Sequence, residues 1–290
     1  MHLTRLWQSR RTTVSFEVFP ARTPKAAAAQ EQAITELLGA KPDFVSVTFG
    51  AGGSTRAGSA DLVAMLRGRG VETLAYFAAY GLGPSVIHEV MDRYRALGVE
   101  NVLAVRGDRP EDAAFVAHPE SLPHASDLIG LLHADYPFCL GAAAYPEGHR
   151  EAVNPERDLE ALRLKVDRGA AFAITQYCHV EGRFGEFLGR ARAAGVTVPV
   201  VAGVMPIFSV KMTQTLADLC GATIPESLRA ELGALPPDDP EALARFGIEL
   251  ATRQCREALA AGAAGLHFYT MNKSRAAVAV VGQLRAEGLV

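Results

Sequence analysis

Short runs of consecutive apolar residues alternate along the chain with longer segments in which apolar positions recur every three or four residues. This is the rhythm of strands buried on both faces and of helices that cover them. The runs predict strands over Val14–Phe19, Phe44–Phe49, Thr73–Ala79, Asn101–Arg106, Phe138–Ala144, Ala171–Gln176, Val198–Val204 and Gly265–Thr270. Helical spacing fills the intervals at about 24–39, 56–69, 84–97, 126–134, 156–168, 182–194 and 209–220, and a last helix at 274–286 follows the eighth strand. Eight βα units predict an α/β chain folded as a (β/α)8 TIM barrel, one domain over residues 1–290. Gly70, Gly98, Gly169, Gly195 and Gly262 stand where helices should end, in keeping with the C-cap preference for glycine. One segment breaks the rhythm: residues 222–261 carry the Pro-rich stretch Leu235–Pro240 and predict an additional helix before the eighth strand.

Composition narrows the partners. The 290 residues are 49% hydrophobic and 21% charged with a net charge of −3, so no broad cationic field favours nucleic acid, and small molecules are expected instead. Residues 1–11 hold no apolar run of the kind a signal peptide needs, and no stretch approaches the ~20 apolar residues of a membrane span; a cytoplasmic protein is expected. Cys139, Cys178, Cys220 and Cys255 are widely spaced without a C-x-x-C, which reads as four inert thiols. The eight histidines show no ligand spacing, so no metal is expected. None of the five lysines falls on a predicted strand, where a Schiff-base nucleophile would sit inside the barrel, and no G-x-S-x-G elbow is present.

Active sites of such barrels lie where strands end and βα loops begin. Those ends carry Glu17, Thr48, the glycine-rich Gly50–Ser54, Arg106-Gly107-Asp108, Tyr145-Pro146-Glu147, Gln176 and Tyr269-Thr270, polar groups that are costly on apolar strand tips unless partnered. Gly50–Ser54 could bring backbone N–H groups to a phosphate, or simply make a turn. Asp108 could stabilise a cation or pair with Arg106. Glu17, between Phe16 and Val18, sits where burial would raise its pKa toward general-acid use, a buried ion pair being the competing reading.

Read together, Val14–Pro20, Phe44–Gly50, Asn101–Asp108, Ala143–His149, Lys165–Ala170, Ala173–Gln176 and His267–Asn272 closely resemble methylenetetrahydrofolate reductases of the bacterial, catalytic-domain-only type, in order from about residue 12 onward. The resemblance implies a barrel carrying non-covalent FAD, which takes a hydride from NAD(P)H and passes it to 5,10-methylenetetrahydrofolate. By motif, Glu17 is the general acid that opens the folate imidazolidine ring, Asp108 the carboxylate that stabilises the resulting cation, and Gln176 an amide that positions folate and nicotinamide. Thr48, Arg106, Gly107, Asp108, Ala125, Tyr145, His149, Asp158 and Lys165 are implied FAD contacts, and Lys273 an implied folate contact beside Glu17, Asp108 and Gln176. Asp158 and Lys165 are seven apart, two turns along one helical face, a spacing an ordinary solvated face would also show. A homo-oligomer is the usual assembly of the resembled family.

The chain departs from the family pattern in places. Tyr76-Phe77-Ala78 stands where relatives usually carry His-Leu-Thr, which predicts the loss of hydrogen-bonding groups near the flavin. Ala161 and Leu164 replace the usual Asn and Arg; Met212 and Leu216 replace Gln and Phe; Lys273 replaces Arg. Arg150, Arg163 or Arg168 are the cations available to compensate. Two other readings stay open: a flavin-free methylenetetrahydropterin reductase with direct hydride transfer from NAD(P)H, and a folate or flavin binder without turnover, which the retained Glu17 disfavours.

Overall fold

Eight parallel strands close on one another in chain order: β1 (Thr13–Val18), β2 (Phe44–Val47), β3 (Thr73–Ala78), β4 (Asn101–Val105), β5 (Cys139–Ala144), β6 (Phe172–Thr175), β7 (Val200–Val204) and β8 (Gly265–Tyr269). The computed structural model describes residues 1–9, 11–49, 56–110, 112, 114–237 and 239–290; the glycine-rich Gly50–Ser54 lies outside them. Closure is made by β1 against β8, where Ser15 pairs with His267 and Glu17 with Tyr269. On its other edge β1 sets Glu17 beside Ser46 of β2. Register thus decides which side chains meet inside the ring.

The helices α2 (Pro24–Gly39), α3 (Arg56–Gly68), α4 (Pro84–Ala96), α5 (Ala125–Asp135), α6 (Pro155–Asp167), α7 (Arg183–Ala193), α8 (Val210–Cys220) and α11 (Ser274–Ala286) form the outer layer, each within two residues of its expected bounds. Several begin as their sequence dictates. Thr23 accepts from the Ala26 N–H at 3.2 Å, Asn154 from Arg157 at 2.9 Å and Ser209 from Met212 at 3.1 Å, with Pro24 and Pro155 placed at the first helical position where no N–H is needed. The five glycines expected at helix ends all adopt positive φ, from 73° at Gly70 to 117° at Gly169.

The interval before β8 holds two further helices rather than the single one expected, α9 (Glu226–Gly233) and α10 (Pro240–Ala260). They bury Leu228, Leu232 and Leu250 with Ile207, Ala217 of α8 and Ile224 in a small core of their own. Residues 234–239 separate the two, and Asp239 caps α10 on the Ala242 N–H at 2.9 Å. The proline-rich composition hid a helix of eight residues, shorter than the window in which helical period is legible.

A short N-terminal helix, α1 (Thr4–Gln8), also went unanticipated. It stoppers the end of the barrel where the strands begin: Leu3 is fully buried, its N–H donates to Asn101 Oδ1 at 2.8 Å, and Trp7 donates to Thr13 Oγ1 at 3.1 Å. The Trp7 ring lies 5.2 Å from that of Phe172. With this end plugged by apolar packing, access is left to the opposite, C-terminal mouth. No helix among the described residues is long and apolar enough to cross a membrane.

Candidate active site at the C-terminal mouth of the barrel

A cavity of about 790 Å³ opens at that mouth, within the range of ligand pockets. Its floor is made by Glu17, Tyr76, Gln176 and Tyr269; one lip by Arg106, Gly107 and Asp108; one wall by Arg157, Asp158, Ala161, Leu164 and Lys165, which share a face of α6. Ala125 at the start of α5, Tyr145 and His149 after β5, and Leu216 and Cys220 of α8 also line it.

The backbone at Glu17 is tied to the loop after β8. The Thr270 hydroxyl donates to Glu17 O at 2.6 Å, while the Asn272 amide donates to Phe19 O at 2.8 Å and accepts from the Phe19 N–H at 3.1 Å. Met271 and Asn272 take φ of 51° and 53° to do this, a left-handed conformation tolerated by Asn and strained for Met. Burial pushes the Glu17 carboxyl up to about 7, against the opposing pull of a hydrogen bond from Tyr76. The acid is therefore poised to give or take a proton near neutrality.

Tyr76 brings a hydrogen-bonding hydroxyl of its own to this position, while Ala78 brings none. Its hydroxyl points into the barrel, bonding Glu17 and standing 3.1 Å from His267 Nε2. Sequence alone missed it because whether a strand residue faces in or out depends on register across two neighbours. Gln176 is held where expected: its N–H donates to Ala144 O at 2.8 Å, and its side-chain oxygen accepts from Tyr177 N–H at 3.1 Å.

At the lip, Arg106 pairs with Glu151 at 2.7 Å and lies over the Tyr80 ring at 5.7 Å; its ion pair is with Glu151 rather than the Asp108 two residues on, and Asp108 is exposed. Gly107 is required there, since φ is 84° and a Cβ would meet that of Ala78 at 3.0 Å. On the α6 wall, Lys165 donates to Ala143 O at 2.9 Å and lies 5.7 Å from the Tyr145 ring centre, whose edge contacts His149 at 4.7 Å. Burial lowers the Lys165 pKa, opposed by Asp158. Asp158 is itself buried, which raises its pKa against the attraction of Lys165 and a bond from the His149 N–H.

Two expected contacts stand apart from the cavity lining. Thr48 is engaged through its backbone, donating to Val18 O at 3.1 Å and accepting from Ser59 Oγ at 2.8 Å. Lys273 lies over the Phe208 ring at 5.1 Å. Of the replaced positions, Ala161, Leu164 and Leu216 line the cavity. Arg150 is occupied with Leu219 O at 3.0 Å and Arg163 with Asp167 at 3.5 Å; the cation that joins Lys165 on the α6 wall is Arg157, which the sequence reading passed over. It follows the Asn154 cap by three positions, a spacing that already marked it as part of the first turn.

Together these features define a barrel enzyme whose mouth combines a carboxylic acid titrating near neutrality with a mostly apolar cleft carrying polar and charged groups on its walls. The chain belongs to the methylenetetrahydrofolate reductase family, whose model matches residues 2–285. The 5,10-methylenetetrahydrofolate reductase of Escherichia coli is 32% identical over 268 residues, covering 92% of this chain and 88% of that protein. The methylenetetrahydrofolate reductase (NADH) 1 of Zea mays is 32% identical over 288 residues, covering 93% of this chain but 48% of its own length; the chain spans about half of such longer relatives. Among solved structures, an uncharacterized protein from Clostridium thermocellum that binds two copies of 5-methyl-5,6,7,8-tetrahydrofolic acid shares the fold, with a TM-score of 0.67 at 16% identity over 98% of this chain and 99% of that one.

Proposed function

We propose that the protein reduces 5,10-methylenetetrahydrofolate to 5-methyltetrahydrofolate at the expense of NAD(P)H, by ping-pong transfer through bound FAD, with Glu17 as the general acid. The observation that carries this reading is Glu17 itself: a carboxyl held neutral up to about pH 7 on the floor of the cavity, where opening of the folate ring needs a proton. Glu17 delivers that proton, the exposed Asp108 at the lip stabilises the cation left on the opened folate, and Gln176 holds the ring edge by its amide.

The donor set fits a flavin dinucleotide. Lys165 and Arg157 supply positive charge for a diphosphate, Asp158 accepts from ribose hydroxyls, Tyr145 and His149 offer ring faces and edges, and Arg106, Gly107 and Ala125 border the same space. When bound, FAD supplies the hydride relay between nicotinamide and folate. Direct transfer from NAD(P)H is the second reading, favoured by the apolar Ala161 and Leu164 on the same α6 face, Leu164 being 44% exposed.

An anaerobic visible spectrum separates the two. Flavin that is bound, bleached by NADH or NADPH and recoloured by methylenetetrahydrofolate supports the ping-pong reading; nicotinamide oxidation by the folate in a colourless protein that ignores FAD replaces it with the second. Glu17→Gln is expected to leave flavin reduction intact and to lower folate reduction by a factor of 100 or more, on the scale of about 10²–10⁴ for general acids. Unchanged folate turnover in that variant would remove the acid role.

A further inference from the structure

Inside the barrel, directly beneath Glu17, lies a closed set of polar side chains that the reaction as described does not use. His267, Ser15 and Ser46 are all fully buried. Ser15 Oγ lies 2.7 Å from His267 Nδ1 and donates to Leu266 O at 3.2 Å. With its single proton on that carbonyl, Ser15 accepts from Nδ1–H, and His267 Nε2 is left as an acceptor. Burial pushes the His267 pKa down to about 3, so the ring is neutral in this arrangement. Two hydroxyls then face the one Nε2 lone pair, Tyr76 at 3.1 Å and Ser46 at 3.2 Å. Tyr76 also bonds Glu17 and Ser46.

Building on the reading of Glu17 as the acid, we infer that Tyr76 is its positioning residue: the Tyr76 hydroxyl turns between His267 Nε2 and the Glu17 carboxylate, and Ser46 takes the histidine whenever Tyr76 leaves it. With Glu17 protonated, Tyr76 donates to His267 and its oxygen accepts from the carboxylic acid and from the Ser46 hydroxyl. With Glu17 ionised, Tyr76 donates to the carboxylate and Ser46 donates to His267. Both arrangements leave each of these O–H donors and the His267 Nε2 acceptor paired, so the proton can leave and return without stranding a donor in the core. The exchange is a rotation of two O–H bonds; no proton crosses to His267 and no bond to carbon changes. The other titratable groups that face Glu17 are Tyr269 on β8 and Cys220 on α8, and burial raises the pKa of both; they stay neutral while Glu17 titrates.

The test follows the Glu17 carboxyl by isotope-edited infrared titration of the whole protein, its band assigned by its disappearance in Glu17→Gln. Tyr76→Phe removes the hydroxyl that turns to the carboxylate and is expected to raise the Glu17 midpoint by about one to two units, the size of a charge-assisted hydrogen bond. His267→Leu removes the competing acceptor and is expected to lower it. Ser46→Ala leaves the histidine unsatisfied in the ionised state and is expected to raise it, which keeps the scheme testable if His267→Leu does not fold. An unmoved midpoint in Tyr76→Phe overturns the inference, and so does a rise in His267→Leu, which would put the imidazole proton on Nε2. Full folate turnover in Glu17→Gln would end the proposed acid role, yet the infrared shifts would still decide whether Tyr76 positions this carboxyl.

Discussion

Tyr269 donates its hydroxyl to the Thr175 carbonyl at 2.8 Å, reaching from β8 to β6 across the strand between them. The crossing is possible because β7 carries Gly203 at that level, where a Cβ would collide with Thr175 O and stand 2.7 Å from the Tyr269 ring. Gly203→Ala is therefore expected to destabilise the fold by about 1–3 kcal/mol, the usual range for overpacking. It should also displace Tyr269 from beside Glu17, raising the KM for folate. Urea denaturation and steady-state kinetics check the two effects separately.

A raised carboxyl pKa has a stability signature opposite in sign to that of a salt-bridged one. Below about pH 4.5 Glu17 is protonated in both folded and unfolded chains and contributes no slope. Between 4.5 and about 7 the unfolded chain ionises while the folded one holds its proton, so the folded state binds more protons and stability falls as pH rises. Above that window the loss is complete and amounts to at most about 3 kcal/mol. Chemical denaturation across pH 4–8 should show this decline in wild type and a flatter curve in Glu17→Gln.

Lys165 reaches the cavity wall from α6 while anchored on Ala143 O. Replacing it with Met keeps the stem and removes the charge. FAD affinity is expected to fall about 10- to 100-fold, the worth of one charged hydrogen bond, with little change in the Glu17 infrared band. Fluorescence titration of the apoprotein with FAD measures it; an unaltered affinity would remove Lys165 from the FAD contacts.

Trp7 is the single tryptophan of the chain and sits against Phe172 at the closed end of the barrel. Trp7→Ala is expected to cost about 3–5 kcal/mol of stability, as large core truncations do, while the kcat of the molecules that stay folded is unchanged, because the site lies at the other end. Thermal unfolding together with active-site titration separates these quantities.

The strand order and nearly every helix bound were legible in the chain because a parallel barrel buries both faces of each strand and so writes itself as plain apolar runs. Glu17, Asp108 and Gln176 were legible for a related reason: a polar residue at the tip of such a run has few places to go but the mouth. What remained hidden depends on meetings across strands. Tyr76 looked like a lost contact until the register of β1, β2, β3 and β8 set it beside Glu17 and His267. The contact of the Lys273 ammonium with the Phe208 ring could not be read from its place in a motif either. Leu3 and Trp7 fall in a stretch of mixed character whose helical order comes from the barrel end they fill rather than from their own periodicity.

The stopper formed by α1 has an implication for how the chain assembles. Its seat is built from Thr13 of β1, Asn101 of β4 and Phe172 of β6, and the ring that holds these together is complete only when β8 zips onto β1. Synthesis therefore releases Leu3 and Trp7 long before anything exists to receive them, and they wait as exposed apolar surface until the last strand arrives. Barrel closure and docking of the stopper become a late, long-range event, and the burial of a residue near the start of the chain reports that its far end has found its place.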